Sequence, residues 1–176
     1  MKQPIVSIIM GSDSDLLIMQ ETVQVLEEFD LDYEIKIISA HRTPDIAFDY
    51  AKNAKDQGIK VIVAGAGGAA HLAGVIAALT TLPVIGVPIL GKSFNGLDSL
   101  LSMVQMPSGI PVATVAVNGS KNAGILAAKI LALNDPELNQ KLTDYQQKLY
   151  DSVISKNQKL QAIGYQQYIN DLNSKN

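Results

Sequence analysis

Short apolar runs alternate along this chain with longer stretches in which apolar residues return every three or four positions. The first run, Ile5 to Met10, is apolar except at Ser7; a turn, Gly11-Ser12-Asp13-Ser14, follows it, and then Leu16 to Phe29 at helical spacing. A compact apolar run suits a buried strand, and the three-and-four spacing suits a helix with one apolar stripe. The unit recurs. Tyr33 to Ile38 predicts a second strand, and Thr43-Pro44 opens a second helix expected to end near Gly58; Pro lacks the N–H that a first helical turn leaves unbonded anyway. Val61 to Ala64 with Ala70 to Leu79 makes a third unit, Pro83 to Val87 with Gly96 to Val104 a fourth, and Val112 to Val117 with Ala123 to Leu133 a fifth.

Strands apolar on both faces that alternate with helices call for a parallel sheet covered on each side. The predicted fold is therefore three-layer α/β with a five-stranded parallel sheet. The stretch from Val61 to Leu79 approaches the length of a membrane span, but Gly65, Gly67 and Gly68 are expected to break it into a strand and a helix. Pro136 opens a last, more polar helix with Leu138, Leu142, Tyr145, Leu149 and Val153 on one stripe. The expected division is an α/β domain over 1–134 and a C-terminal helical arm of the same domain over 135–176. The arm packs either on its own domain or on a neighbouring subunit, and its tail is expected to fray from Asn170 onward.

Composition narrows the chemistry. At 176 residues and 47% hydrophobic content the chain can bury one sizeable core. It has no Cys, which removes disulfides, thiolate metal sites and a cysteine nucleophile, and fits a reducing cytoplasm. Net charge is -3 with scattered basic residues, so no footprint for nucleic acid or an anionic membrane is present. The N-terminal apolar run is too short for a secretory signal.

In a parallel α/β sheet, ligands bind beyond the carboxyl ends of the strands, where turns and helix N-termini converge. Three turns there carry chemistry. Ser39-Ala40-His41-Arg42-Thr43-Pro44-Asp45 joins an imidazole to a fixed cation and hydroxyls. An imidazole can give and take a proton near neutrality, and a guanidinium fork beside backbone donors suits a phosphate. Gly11-Ser12-Asp13-Ser14-Asp15 offers N–H groups and hydroxyls for phosphate oxygens, while the Asp15 carboxylate suits ribose hydroxyls. Gly65-Ala66-Gly67-Gly68-Ala69-Ala70 formally fits a dinucleotide fingerprint but sits in the third turn, with no acidic residue before Asp98. Its small residues suit close backbone approach and a weakly polar pocket, from which His71 projects at the helix start. The chain has only these two histidines, and without a neighbouring carboxylate they make a poor metal site.

Four blocks together, Met10 to Asp15, Ser39 to Pro44, Ala64 to Leu72 and Val104-Gln105-Met106-Pro107, resemble the 5-(carboxyamino)imidazole ribonucleotide mutases, the PurE family of purine biosynthesis. The resemblance covers about 4–133, in order and in register. It departs after Met106-Pro107, where Ser108 replaces a basic residue common in relatives. What it implies is a cytoplasmic, homo-octameric isomerase that needs no cofactor, metal or ATP. Its substrate is a small imidazole ribonucleotide whose carboxylate moves from the exocyclic nitrogen to a ring carbon through trapped carbon dioxide. On that reading His41 is the acid/base and His71 the second catalytic group. Gly11, Ser12, Ser14, Asp15, Ser39, Ala40 and Arg42 hold the nucleotide, and Gly67, Ala70 and Leu72 shape the pocket with His71.

Two alternatives remain at this level. A carboxylase that uses carbon dioxide directly needs the same acid/base and pocket. A non-catalytic, flavodoxin-like nucleotide-binding module would share the flavodoxin- or Rossmann-like sheet but leaves the paired histidines unexplained.

Overall fold

The computed structural model describes residues 3–174. The chain forms two compact units, Met1–Asp135 and Pro136–Asn176. In the first unit, five strands make one parallel sheet: β1 (Val6–Met10), β2 (Tyr33–Ile37), β3 (Val61–Gly67), β4 (Val84–Ile89) and β5 (Ala113–Thr114). Their spatial order is β2-β1-β3-β4-β5, with every neighbouring pair parallel. The connections are helical: α1 (Leu16–Glu28), α2 (Pro44–Asn53), α3 (Leu72–Leu79), α4 (Leu97–Val104) and α5 (Ser120–Ala132).

Successive side chains of a strand point to opposite faces. Val6, Ile8 and Met10 of β1 therefore join Val61, Val63, Ile85 and Val87 under Met19 and Leu26 of α1 and Ala123 and Ala127 of α5. Ile9, Ile62, Ala64 and Ala66 meet α2 and α3 through Ala47, Tyr50, Ala51, Leu72, Ala73 and Ile76 on the other face. The three-layer α/β expectation is met.

Several boundaries move, each for a physical reason. Gly65 and Gly67 do not end β3, because β1 pairs along it through Gly65 and β4 through Gly67, so ladders hold the backbone without help from side chains. Gly65 is needed there: a Cβ would lie 2.5 Å from the Met19 sulfur, so its absence lets α1 settle on the sheet. The Val61-to-Leu79 stretch divides into β3 and α3, and no described helix is long and apolar enough to cross a membrane. The second helix ends at Asn53, and turns lead from it to Gly58 at φ 90°. The fifth strand shrinks to two residues at the sheet edge. β2 is the opposite edge, and its pattern inverts the expected burial. Ile35 and Ile37 are 42% and 58% exposed, whereas Glu34 turns inward to Ser7 and Tyr50.

The second unit is α6 (Pro136–Asn173), which is not one helix. Gly164 adopts φ 74° and ψ 163°, a conformation open essentially to Gly alone, and divides α6 into 136–163 and 165–173. The shorter piece folds back on the longer. Lys159 pairs with Asp171 at 2.5 Å and lies 5.7 Å from the Tyr168 ring, contacts a continuous helix could not make. Helix persists to Asn173, beyond Asn170 where fraying was expected; the last two residues of that tail lie outside the described residues. Leu138 and Leu142 of the predicted stripe are buried, but Leu149 and Val153 are 52% and 64% exposed.

Candidate active site

The strand order places the carboxyl ends of β1, β2 and β3 side by side, so the first, second and third turns meet at one edge although the sequence separates them. Between them lies a cavity of about 400 Å³ lined by Gly11, Ser12, Asp15, Ser39, Ala40, His41, Arg42, Ala66, Gly67, Ala69, His71 and Leu72. A neighbouring hollow of about 410 Å³ shares Gly11, Ser12, Ser39 and Arg42 and adds Asp13, Ile37 and Thr43. Each is large enough for one part of a small ligand.

The second turn is closed by its own hydrogen bonds. The Ser39 carbonyl accepts from the Thr43 N–H at 2.9 Å and the Thr43 hydroxyl at 3.0 Å, while the Ser39 N–H donates to Thr43 Oγ1 at 3.1 Å. The Arg42 N–H and Nε–H both donate to Ser39 Oγ, at 3.2 and 3.3 Å, and its Nη2 reaches the Gly11 carbonyl at 2.5 Å. Arg42 thus stands on the wall between the two hollows and ties the first turn to the second. His41 projects across the cavity, where its Nε2 meets Nδ1 of His71 at 2.8 Å with the rings nearly perpendicular at 86°. Of two facing nitrogens in one hydrogen bond, one carries the proton and the other is bare, so the tautomers of the two rings are fixed jointly. His71 sits directly before α3, with no side-chain cap to the helix, which leaves its ring for His41.

The first turn is a network of its own. Asp13 accepts from the Ser12 hydroxyl at 3.1 Å and the Ser14 N–H at 3.0 Å, and the Ser14 hydroxyl donates to Ser12 Oγ at 3.0 Å. Asp15 is 8% exposed, and burial raises its carboxyl above the ordinary range. Hydrogen bonds from Ser12 and Ser14, together with the Arg42 charge, offset this only in part. A carboxylate short of water gains from donors that a ligand brings, such as a pair of sugar hydroxyls.

Most residues singled out from the sequence line this cavity, but two do not. Ala70 is 1% exposed and packs into the α2/α3 core, and Ser14 is directed to Ser12 rather than the cavity. Two lining residues, Ala66 and Ala69, belong to the small-residue stretch expected to form a weakly polar pocket but were not singled out within it. As alanines they carry no chemical signal, and only the extension of β3 through Gly67 puts them at the edge. The fourth block lies off the cavity: Met106 sits where a side chain on Gly74 of α3 would be, its sulfur 3.0 Å from that point, and Ser108 is exposed beside the Gly109 turn. Among the described residues, no group of three or more His, Cys, Asp or Glu gathers in a way that could hold a metal ion.

A doubly wound sheet with a two-lobed, phosphate-compatible cleft at its β1/β3 switch point defines an α/β protein built to bind a nucleotide-sized ligand. Its cleft differs from a plain binding site in the histidine pair. The chain belongs to the AIR carboxylase family, whose model matches residues 5–152. It is 59% identical to the N5-carboxyaminoimidazole ribonucleotide mutase of Thermotoga maritima, over 95% of this chain and 98% of that one. It is 52% identical to the phosphoribosylaminoimidazole carboxylase of Schizosaccharomyces pombe, over 95% of this chain but 30% of that longer protein. The crystal structure of Treponema denticola PurE superposes with a TM-score of 0.82 at 32% identity, covering 89% of this chain and 98% of that one.

Proposed function

We propose that this chain is the isomerase that converts 5-(carboxyamino)imidazole ribonucleotide to 4-carboxy-5-aminoimidazole ribonucleotide in purine biosynthesis. The observation that carries the reading is the proton-sharing His41–His71 pair facing a cavity with one polar and one small apolar wall. The end-to-end match to a relative named as that mutase supports it.

On this reading the phosphate lies against Arg42, Ser39 and Ser12, and Asp15 accepts from the ribose hydroxyls. The imidazole base then faces His41. The carbamate N–C bond breaks as His41 protonates the departing nitrogen, giving aminoimidazole ribonucleotide and carbon dioxide. Ala66, Gly67, Ala69 and Leu72 hold the carbon dioxide against escape and water. The ring carbon attacks it, forming the C–C bond, and His41 recovers a proton from that carbon, ending as it began. His71, bonded to the other side of the exchange, sets the His41 tautomer and takes up part of the transient charge. No cofactor or metal enters these steps.

The direct carboxylase is the second reading, favoured by the Schizosaccharomyces pombe relative's name. One assay separates them: turnover of the carbamate substrate against aminoimidazole ribonucleotide plus bicarbonate. Preference for the first is expected; preference for the second at low bicarbonate overturns the mutase reading. We also propose a cytoplasmic homo-octamer in which α6 lies on a neighbouring subunit, supported by the exposed Leu149, Tyr150, Val153 and Ile154. Removing residues 136–176 should lower the mass in solution, and an unchanged oligomer would sink that arrangement.

A further inference from the structure

Helix α2 carries the His41 turn at its N-terminus, yet little in its packing fixes where it sits along its own axis. Its buried residues are Ala47, Tyr50 and Ala51, followed by Ala54, and it packs on α3 with Leu72, Ala73 and Ile76 in the same core. Alanine surfaces bring helices close but offer few ridges to interlock. Tyr50 is the one long buried side chain of α2, and its end is not in hydrocarbon. Its hydroxyl donates to Ser7 Oγ and lies 2.9 Å from Glu34 Oε1, while the Ser7 hydroxyl donates to the same carboxylate oxygen at 3.0 Å. Lys36 closes the cluster, pairing with Glu34 Oε2 at 2.6 Å and lying 4.9 Å from the Tyr50 ring centre. One polar cluster therefore spans β1, α2 and β2, near the amino ends of the strands and in the half of α2 farther from the His41 turn.

We infer that Tyr50, through Ser7 and Glu34, is a positioning residue that sets the axial register of α2 and so holds His41 in hydrogen-bond contact with His71. The turn from Ser39 to Thr43 is closed on itself and continuous with α2, so a displacement of α2 is passed to His41 against the ties of Ile38 to the Met10 carbonyl and of Arg42 to the Gly11 carbonyl. His71 belongs to the neighbouring helix start. A slip of α2 along α3 then appears directly as a change in the 2.8 Å gap between the rings. A shift of about 1 Å is enough to lose such a bond and can cost on the order of 100-fold in rate. Ser7 also gains an explanation: a hydroxyl at 0% exposure in an otherwise apolar strand is the relay between Tyr50 and Glu34. Burial, followed by the Glu34 charge, pushes the Tyr50 phenol upward, so it remains a donor throughout the working range.

This inference rests on His41 as the proton carrier, and the test keeps the two apart. Tyr50→Phe retains the ring and removes only the hydroxyl. Nitrogen-15 spectra of the ligand-free protein should show the shared His41–His71 signal lost or broadened, whether or not the chain is a mutase. Mutase turnover should fall by about 10- to 100-fold, and KM should rise with it, because Ser39 and Arg42 lie in the same turn as His41 and shift with it. Ser7→Ala should do the same more weakly, since Tyr50 still reaches Glu34, and it carries the test if Tyr50→Phe fails to fold. A folded variant with a lower Tm but unchanged histidine spectra and kcat overturns the inference. Loss of the histidine signal in a protein whose wild type never turned over the carbamate would sustain it while overturning the proposed function.

Discussion

The two faces of the sheet are built differently. On the α1/α5 face, long side chains interlock: Met19, Leu26, Ile8, Met10 and Ile85 are all fully buried. α1 and α5 are further tied by Thr22, whose hydroxyl donates to the Ser120 carbonyl at 2.8 Å and whose N–H donates to Ser120 Oγ. On the α2/α3 face Ile9, Ile62, Leu72 and Ile76 fill the layer, but α2 itself meets them mostly through Ala47, Ala51 and Ala54, and both histidines stand at the helix starts. The thin surface of α2 lets the starts of α2 and α3 approach closely enough for one imidazole to touch the other. The histidine pair of the candidate site thus stands on the α2/α3 side, while Ser12 and Asp15 reach the same cavity from the start of α1.

That contrast can be broken by substitutions confined to one face. His41→Asn should lower turnover by about 10²–10⁴-fold while the Tm stays near wild type, as steady-state kinetics and calorimetry would show. Leu26→Ala, on the other face, should cost about 2–5 kcal/mol in denaturant unfolding and leave kcat of the remaining folded protein unchanged. A large loss of turnover there would mean that the faces are coupled. Thr22→Val should cost about 1–3 kcal/mol by leaving Ser120 partners unpaired, again without a change in kcat.

The smallest effects are electrostatic and sharpen the contrast within the site face. Burial raises the Asp15 carboxyl, so ionising it costs more in the folded than in the unfolded chain, and the stability it contributes in acid is lost as pH rises through the raised value. Asp15→Asn should therefore raise the Tm slightly at neutral pH, lose that advantage in acid, and weaken nucleotide binding throughout. Glu34 behaves oppositely. Burial alone would raise it, but hydrogen bonds from Lys36, Tyr50 and Ser7 hold it below the ordinary value of 4.5. Its contribution is present above that value and fades as pH falls through the lowered one, so wild type and Glu34→Gln should differ in Tm near neutrality and converge in acid.

Much of the fold was legible because its signals are local. Pro44 at a helix start, the first-turn serines and aspartates, and the helical stripe after Leu16 each act within a few residues. Where the reading failed, the deciding contact came from elsewhere in the chain. Gly65 looked like a breaker until β1 and β4 held it on both sides. Ile35 and Ile37 looked like core until β2 proved to be an edge. The last stretch was expected as a single helix from Pro136, but the dihedrals of Gly164 turn the chain back. In the cavity the chemically loud residues were readable one by one, whereas Ala66 and Ala69 were readable only as part of a small-residue stretch.

The sequence by itself determined the strand–helix repeat, the turns that carry chemistry and the residue types in them, because hydrophobic period and turn preference are properties of neighbours along the chain. Only the tertiary structure decided that β1 lies between β2 and β3, so that His41 and His71, 30 residues apart, share one proton at 2.8 Å. Strand order and helix register are set by burial summed over the whole sheet, and no short stretch of sequence contains that sum.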